Sequence, residues 1–328
     1  MIISKTPLRI SFFGGGTDYP AWFNKNTGMV IGTTIDKYTY ISCRFLPPFF
    51  KHKHRIIYSK IENAFSINDI KHPSVRECLK YISIKKGIEI HHDADLPARS
   101  GLGSSSSFTT GLLNCLNKLE NKSITKKKLA KSTIYVEQNL IKENVGSQDQ
   151  IHAAYGGFNK IDFFTDGDFK VNSIKNESLL KDLENSCLLF FTGFSRFASD
   201  IASDIIKNTP KRKIELQELK AIVPEAAKLL KAKNFDINNF GKLMNKSWHL
   251  KKTLSTTISN KFINEIYLEA MSSGAVGGKL LGAGGGGFIL FIADRIYHRK
   301  IKKRLKNLLH VPFRFEKTGS QIIFYDRA

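Results

Sequence analysis

The chain has 328 residues, 41 % of them apolar, and a formal net charge of +22 from 51 lysines and arginines against 29 acidic residues. That length suits two domains, and the apolar content supports a sizeable core and excludes a disordered chain. No run approaches the roughly 20 apolar residues of a membrane span, and the four cysteines at 43, 78, 115 and 187 form no Cys-x-x-Cys pair, which speaks against zinc knuckles and disulfides.

In chain order, residues 29–45 alternate and are rich in β-branched side chains, which predicts a strand, and "RIIYS" at 55–59 predicts another. Residues 72–86 read as a helix, and "GIEIHHDADLP" reads as a strand ending in a proline turn. From 104 to 119, apolar residues at 108, 112, 113, 116 and 119 repeat with the period of a helix. Helices are expected over about 126–143 and 147–154, and "GGFNKIDFF" returns to strand. A buried strand, "SCLLFFTG", spans 186–193, followed by helices at about 196–208, 213–232, 235–254 and 260–273. "GGKLLGAGGGGFILFIAD" reads as a glycine turn feeding a strand, then come a helix at 295–309 and two short strands, "VPFRF" and "QIIFYD". Strands and helices mix without strict alternation, so the expected class is α+β, with domains at 1–180 and 181–328.

The basic charge admits a polyanionic partner. The basic residues at 126–128, 131, 211–213, 299–300 and 302–303 lie on helix-like segments, as on solvated faces, and "KHKHR" at 51–55 has no accompanying aromatic stacking pattern. Nucleic acid and membrane are therefore not expected as partners. The N-terminal "MIISKTPLRISFF" lacks the apolar core and small-residue cleavage site of a signal peptide, so a cytoplasmic location is expected.

Three glycine-rich turns stand out, "FFGGGTDYP" at 12–20, "SGLGSSSS" at 100–107 and "GAGGGG" at 282–287. Gly282, Gly284 and Gly287 have G-x-G-x-x-G spacing, but a strand follows them where a dinucleotide-binding motif opens a helix. The second turn enters a helix. Its unpaired N–H groups and the positive helix end attract anions, the glycines let the backbone curl, and a first-turn hydroxyl can reach Mg²⁺. Ser100, Gly101, Leu102, Gly103, Ser104, Ser105, Ser106 and Ser107 thus read as a phosphate cradle.

At these residues the chain resembles the GHMP kinases, the superfamily of galacto-, homoserine, mevalonate and phosphomevalonate kinases. "TPLRISFFGGGTDYP" at 6–20, "LPARSGLGSSSSF" at 96–108 and "GGKLLGAGGGGFILF" at 277–291 carry the resemblance, in the family's order. Galactokinases have a histidine where this chain has Thr17, and the "GGGTDYPAWF" form is more similar to the branch that phosphorylates the anomeric carbon of D-glycero-D-manno-heptose 7-phosphate. Fucose kinases are the near alternative.

The resemblance implies a two-domain fold with the active site between the domains, and ATP, Mg²⁺ and a sugar phosphate as what the site takes. It places the ATP phosphates on the loop at 101–107 and Mg²⁺ between Ser105 and Glu137. It makes Asp149 of "VGSQDQ" the catalytic base with Arg9 beside it, and Asp18 a sugar-hydroxyl ligand. Gly15, Gly16 and Thr17 of the first turn, Gly284 and Gly285 of the third, and Arg196 at a helix start are assigned to the substrate. Phosphoryl transfer independently needs charge neutralisation, positioning and an acceptor for the hydroxyl proton, and two carboxylates can divide the metal and base roles. A non-catalytic sugar sensor is the competing class. The oligomeric state, monomer or homodimer, stays open.

Overall fold

The computed structural model of the chain describes residues 1–98, 100–194, 198–232 and 235–326. Its first part runs β1 (Ile2–Phe13), α1 (Pro20–Asn26), β2 (Gly28–Phe45), β3 (His54–Ile57), β4 (Ile61–Ala64), α2 (Pro73–Ile82), β5 (Ile88–Ala94), α3 (Ser104–Leu119) and α4 (Lys126–Tyr135). A π-helical turn, Val136–Leu140, extends α4, and α5 (Gln148–Tyr155), β6 (Phe158–Phe163), β7 (Phe169–Ser173) and α6 (Glu177–Asn185) follow. The second part holds β8 (Cys187–Phe191), α7 (Ala198–Asn208), α8 (Lys213–Leu229), α9 (Ile237–Thr253), α10 (Lys261–Ser272), β9 (Ala275–Leu280), β10 (Phe288–Ala293) and α11 (Arg295–Arg304). Three short strands end it, β11 (Leu309–His310), β12 (Phe315–Glu316) and β13 (Gln321–Tyr325).

The first sheet has the order β13-β1-β2-β5-β3-β4, with β6 and β12 also on β2 and β7 on β6. All its pairings are antiparallel except β3 with β5. The long β2 changes partner along its length, taking β6 over residues 28–33 and β5 over 39–45. A smaller antiparallel sheet, β11-β8-β10-β9, forms the second layer system.

Alternation along the sequence does not reveal β1. Its residues 6–13 are all buried, so "IISKTPLRISFF" shows little period-2 contrast. Nor does it reveal β9, "AVGGKL", whose glycines serve close packing: a Cβ on Gly277 would lie 1.9 Å from the Gly241 carbonyl oxygen of α9.

The division at residue 180 needs one correction. β12 pairs with β2 and β13 with β1, so residues 315–325 return to the first sheet. The tail adds an edge strand to β1, the strand that carries Arg9.

Candidate active site

The turn before α3 sets the geometry of the site. Gly101 and Gly103 have φ of 86° and 74°, the left-handed region that glycine tolerates best. Close contact adds to the requirement. A Cβ on Gly103 would sit 3.1 Å from Arg9 Cγ, and one on Gly101 would sit 2.6 Å from the Leu281 carbonyl oxygen. The turn therefore delivers the N-terminus of α3 into a cleft with its backbone N–H groups leading.

β1 brings Arg9 to the foot of this turn. Its Nε and Nη2 donate to the two carboxylate oxygens of Asp149 at 2.8 and 2.7 Å, and Nη1 donates to the Gly101 carbonyl at 2.6 Å. One guanidinium thus ties the first turn of α5 to the glycine turn before α3, in the fork geometry that suits Arg. The Asp149 side chain keeps 16 % of its surface open and lines the cleft.

Asp18 faces the same cleft from the first glycine turn. Gly16 N–H donates to one carboxylate oxygen at 3.0 Å and Gln148 Nε2 to the other at 2.8 Å. Burial, then the charge of Asp149, raise its pKa above the ordinary value, outweighing those two donors. Gly146 has to be glycine here, because a Cβ would fall 2.0 Å from Asp18 Oδ2.

Glu137 lies beneath the α3 turn, fully buried, and the π-helical turn presents it. Such turns widen a helix locally and often carry functional side chains. Ser106 Oγ and Gln150 Nε2 both donate to Glu137 Oε2, at 2.8 and 2.6 Å, while Oε1 has no hydrogen-bond partner among the described residues. Burial and then Glu143 push its pKa up to about 7, against the donors Gln150, Thr109 and Ser106. An orphaned buried carboxylate oxygen beside a hydroxyl fits a hard cation.

The second part of the chain supplies the opposite wall, with Ala202, Ile205, Lys251, Leu254, Lys279 and Gly282. Lys251 Nζ donates to the carbonyls of Gly282 and Leu280, and Lys279 Nζ donates to the Phe12 carbonyl at 3.0 Å.

Two family models match the chain, the GHMP kinase N-terminal domain over residues 70–157 and the GHMP kinase C-terminal domain over residues 226–310. The D-glycero-alpha-D-manno-heptose 7-phosphate kinase of Campylobacter jejuni is 30 % identical over 318 residues, 93 % of each chain. The chain belongs to the GHMP kinase family. A bifunctional fucokinase/GDP-fucose pyrophosphorylase of Arabidopsis thaliana is 26 % identical over 92 % of this chain and 30 % of its own length. Among solved structures, a D-glycero-D-manno-heptose 1-phosphate kinase from Bacteroides thetaiotaomicron shares the fold with a TM-score of 0.79, 22 % identity and full coverage of both chains.

In this GHMP kinase, Arg9, Gly15, Gly16, Asp18, Gly101, Gly103, Ser104, Ser105, Ser106 and Asp149 all line one cleft. Ser105 is exposed and lines the cleft, while the hydroxyl that bonds Glu137 is that of Ser106, at 2.8 Å. Other expected positions do not line the cleft. Thr17 is buried in the turn, its hydroxyl 2.8 Å from the Gly14 carbonyl oxygen and 3.1 Å from the Met29 nitrogen, which leaves it a structural staple. Leu102 is a core residue, Ser107 Oγ is bonded to the Pro7 carbonyl at 2.8 Å, and Ser100 is buried behind the turn.

Gly284 and Gly285 lie outside the cleft lining. A Cβ on Gly284 would meet Ile258 Cα at 2.8 Å, and Gly285 N–H donates to the Ile258 carbonyl at 2.9 Å. Arg196 and the neighbouring Ser195 lie outside the described residues. No helix among the described residues is long and apolar enough to cross a membrane.

The sequence motifs assign no role to Lys251, Lys279, Gln148 or Gln150. Lys279 sits inside the third motif. Lys251 continues the buried stripe Phe240, Met244, Trp248 of α9, a helical spacing at which a lysine is the exception. That stripe is the signal that marks it.

Proposed function

We propose that this GHMP kinase transfers the γ-phosphoryl group of ATP to the anomeric hydroxyl of a sugar phosphate, D-glycero-D-manno-heptose 7-phosphate, giving the 1,7-bisphosphate and ADP for nucleotide-activated heptose synthesis. The observation that carries the reading is the bidentate Arg9–Asp149 pair at the foot of the phosphate turn, in the same cleft as Asp18. The similarity to the Campylobacter jejuni heptose 7-phosphate kinase supports the choice of sugar.

The residues divide the work as follows. The turn and the N-terminus of α3 hold the ATP phosphates through backbone N–H groups. Asp18 accepts from sugar hydroxyls, and Ser11 Oγ and Gln148 Oε1, both without a hydrogen-bond partner and both in the cleft lining, are ready for others. Asp149 takes the proton of the anomeric hydroxyl as that oxygen forms its bond to the γ-phosphorus and the bond to the bridging oxygen of ADP breaks. Arg9 holds both oxygens of Asp149 in line. Glu137 and Ser106 fit Mg²⁺, which when bound neutralises phosphate charge.

The test offers the purified protein ATP with heptose 7-phosphate, fucose, mannose and galactose, and reads the product by ³¹P NMR. A new anomeric phosphate on the heptose 7-phosphate alone is the expected result. Turnover of fucose or galactose in its place would overturn the choice of sugar, and no turnover of any sugar would favour a sensor.

A further inference from the structure

Two lysines in the cleft have no part in the mechanism above. Lys251 and Lys279 are 6 % and 3 % exposed, and both side chains line the cleft. Among the described residues their hydrogen bonds run to backbone carbonyls alone, those of Gly282 and Leu280 for Lys251 and that of Phe12 for Lys279. Among the described residues neither makes an ion pair, while Arg9 already has Asp149. Burying an ammonium group without a counter-charge is costly, so two in one wall call for an explanation.

Their titration reflects that cost. Burial, then Arg9, push Lys251 down to about 8, and burial, then Lys251 and Arg9, push Lys279 well below the ordinary lysine value. Asp18 opposes the shift at both, and Asp149 at Lys251, without cancelling it.

Their placement is informative. Gly282, which accepts from Lys251, packs on the phosphate turn: a Cβ there would lie 2.5 Å from Gly101 Cα. Phe12, which accepts from Lys279, leads into the first glycine turn that holds Asp18. The pair therefore spans from the nucleotide-phosphate side of the cleft to the acceptor side.

We propose that Lys251 and Lys279 together form a seat for one phosphate dianion in the cleft, between the turn before α3 and the turn that holds Asp18. This rests on the kinase reading given above. The dianion has two sources of the same chemistry, the acceptor sugar's own distal phosphate or the phosphoryl group in transfer. Either one supplies the counter-charge that both ammonium groups lack, with oxygens enough for charge-assisted hydrogen bonds to each.

Titration calorimetry of inorganic phosphate into the ADP-saturated protein tests the seat, because ADP then occupies the phosphate turn. Lys251→Met and Lys279→Met should each weaken phosphate binding by about tenfold or more, the size of a lost charge-assisted contact. Thermal melting and ADP affinity show whether each variant is folded, and Lys251→Arg, which keeps the charge, should retain more phosphate affinity than Lys251→Met. Unchanged phosphate affinity in folded Met variants overturns the proposal and leaves the kinase reading intact. A panel in which no sugar is phosphorylated breaks the kinase reading without altering the phosphate titration.

Kinetics with the 7-phosphorylated and the unphosphorylated heptose separate the sources. Loss of the preference for the phosphorylated sugar in the Met variants, with ATP KM unchanged, assigns the seat to the acceptor's phosphate. An equal fall in kcat for both sugars assigns it to the group in transfer.

Discussion

Asp149 and Glu137 are both carboxylates within reach of the same turn, and their surroundings differ in kind. Asp149 has a permanent cation, with both oxygens on Arg9 and one edge open to the cleft. Glu137 has none. An amide and a hydroxyl share one of its oxygens, the other is unpaired, and the whole group is buried. A carboxylate with its own guanidinium keeps its place while a proton comes and goes. A carboxylate walled in by neutral donors is completed by a proton or by a guest cation.

The largest effect that separates the two is on turnover. Asp149→Asn keeps the size of the side chain and removes the proton acceptor, so kcat should fall by the ~10²–10⁴-fold typical of a lost general base. ATP affinity, measured by calorimetry, should stay within a few-fold, because the glycine turn before α3 is held by backbone hydrogen bonds as well. A near-normal kcat would remove Asp149 from the chemistry.

Glu137→Gln should act on metal dependence instead. The Mg²⁺ concentration for half-maximal rate should rise by about tenfold or more, since an oxygen ligand with full charge is lost. An Mg²⁺ titration that does not move would sink the assignment.

A smaller effect sharpens the choice of serine. Ser106→Ala removes the hydroxyl that touches Glu137 and should raise the Mg²⁺ requirement by about a few-fold. Ser105→Ala removes a cleft hydroxyl that does not touch Glu137 and should leave that requirement in place. The opposite ranking in a parallel titration would restore the sequence-based choice.

That pair of serines shows where the sequence stops being legible. That Arg9, Asp18 and Asp149 share one cleft is legible from the short segments around them, and α3 is legible from its apolar period. Four consecutive serines carry no such information. Successive helical residues point about 100° apart, so which hydroxyl meets Glu137 depends on how α3 is rotated over the π-helical turn. The third glycine segment is ambiguous for a related reason. Gly282 lines the cleft and also presses against Gly101, while Gly284 and Gly285 pack against Ile258. Close approach of backbone to backbone and of backbone to ligand leave the same mark in a sequence.

The least conspicuous difference between the carboxylates concerns pH and stability. Glu137 is raised from 4.5 to about 7 by burial and then by Glu143. In the unfolded chain it ionises near its ordinary value, so between about 4.5 and 7 the folded protein holds a proton that the unfolded chain has lost. Stability from this group is therefore fully present at low pH and declines as pH rises through that window, then stays level. The full decline is on the order of 3 kcal/mol for a buried group shifted this far. Glutamine cannot ionise, so Glu137→Gln should gain on the native protein in thermal melts as pH rises from 5 to 8 without metal. Mg²⁺ should reverse the ranking at pH 8, where the carboxylate is charged and can bind it, and do little at pH 5. Parallel pH dependences for the two proteins, with no metal-dependent crossover, would mean that Glu137 is an ordinary buried side chain and that the contrast with Asp149 has no chemical content.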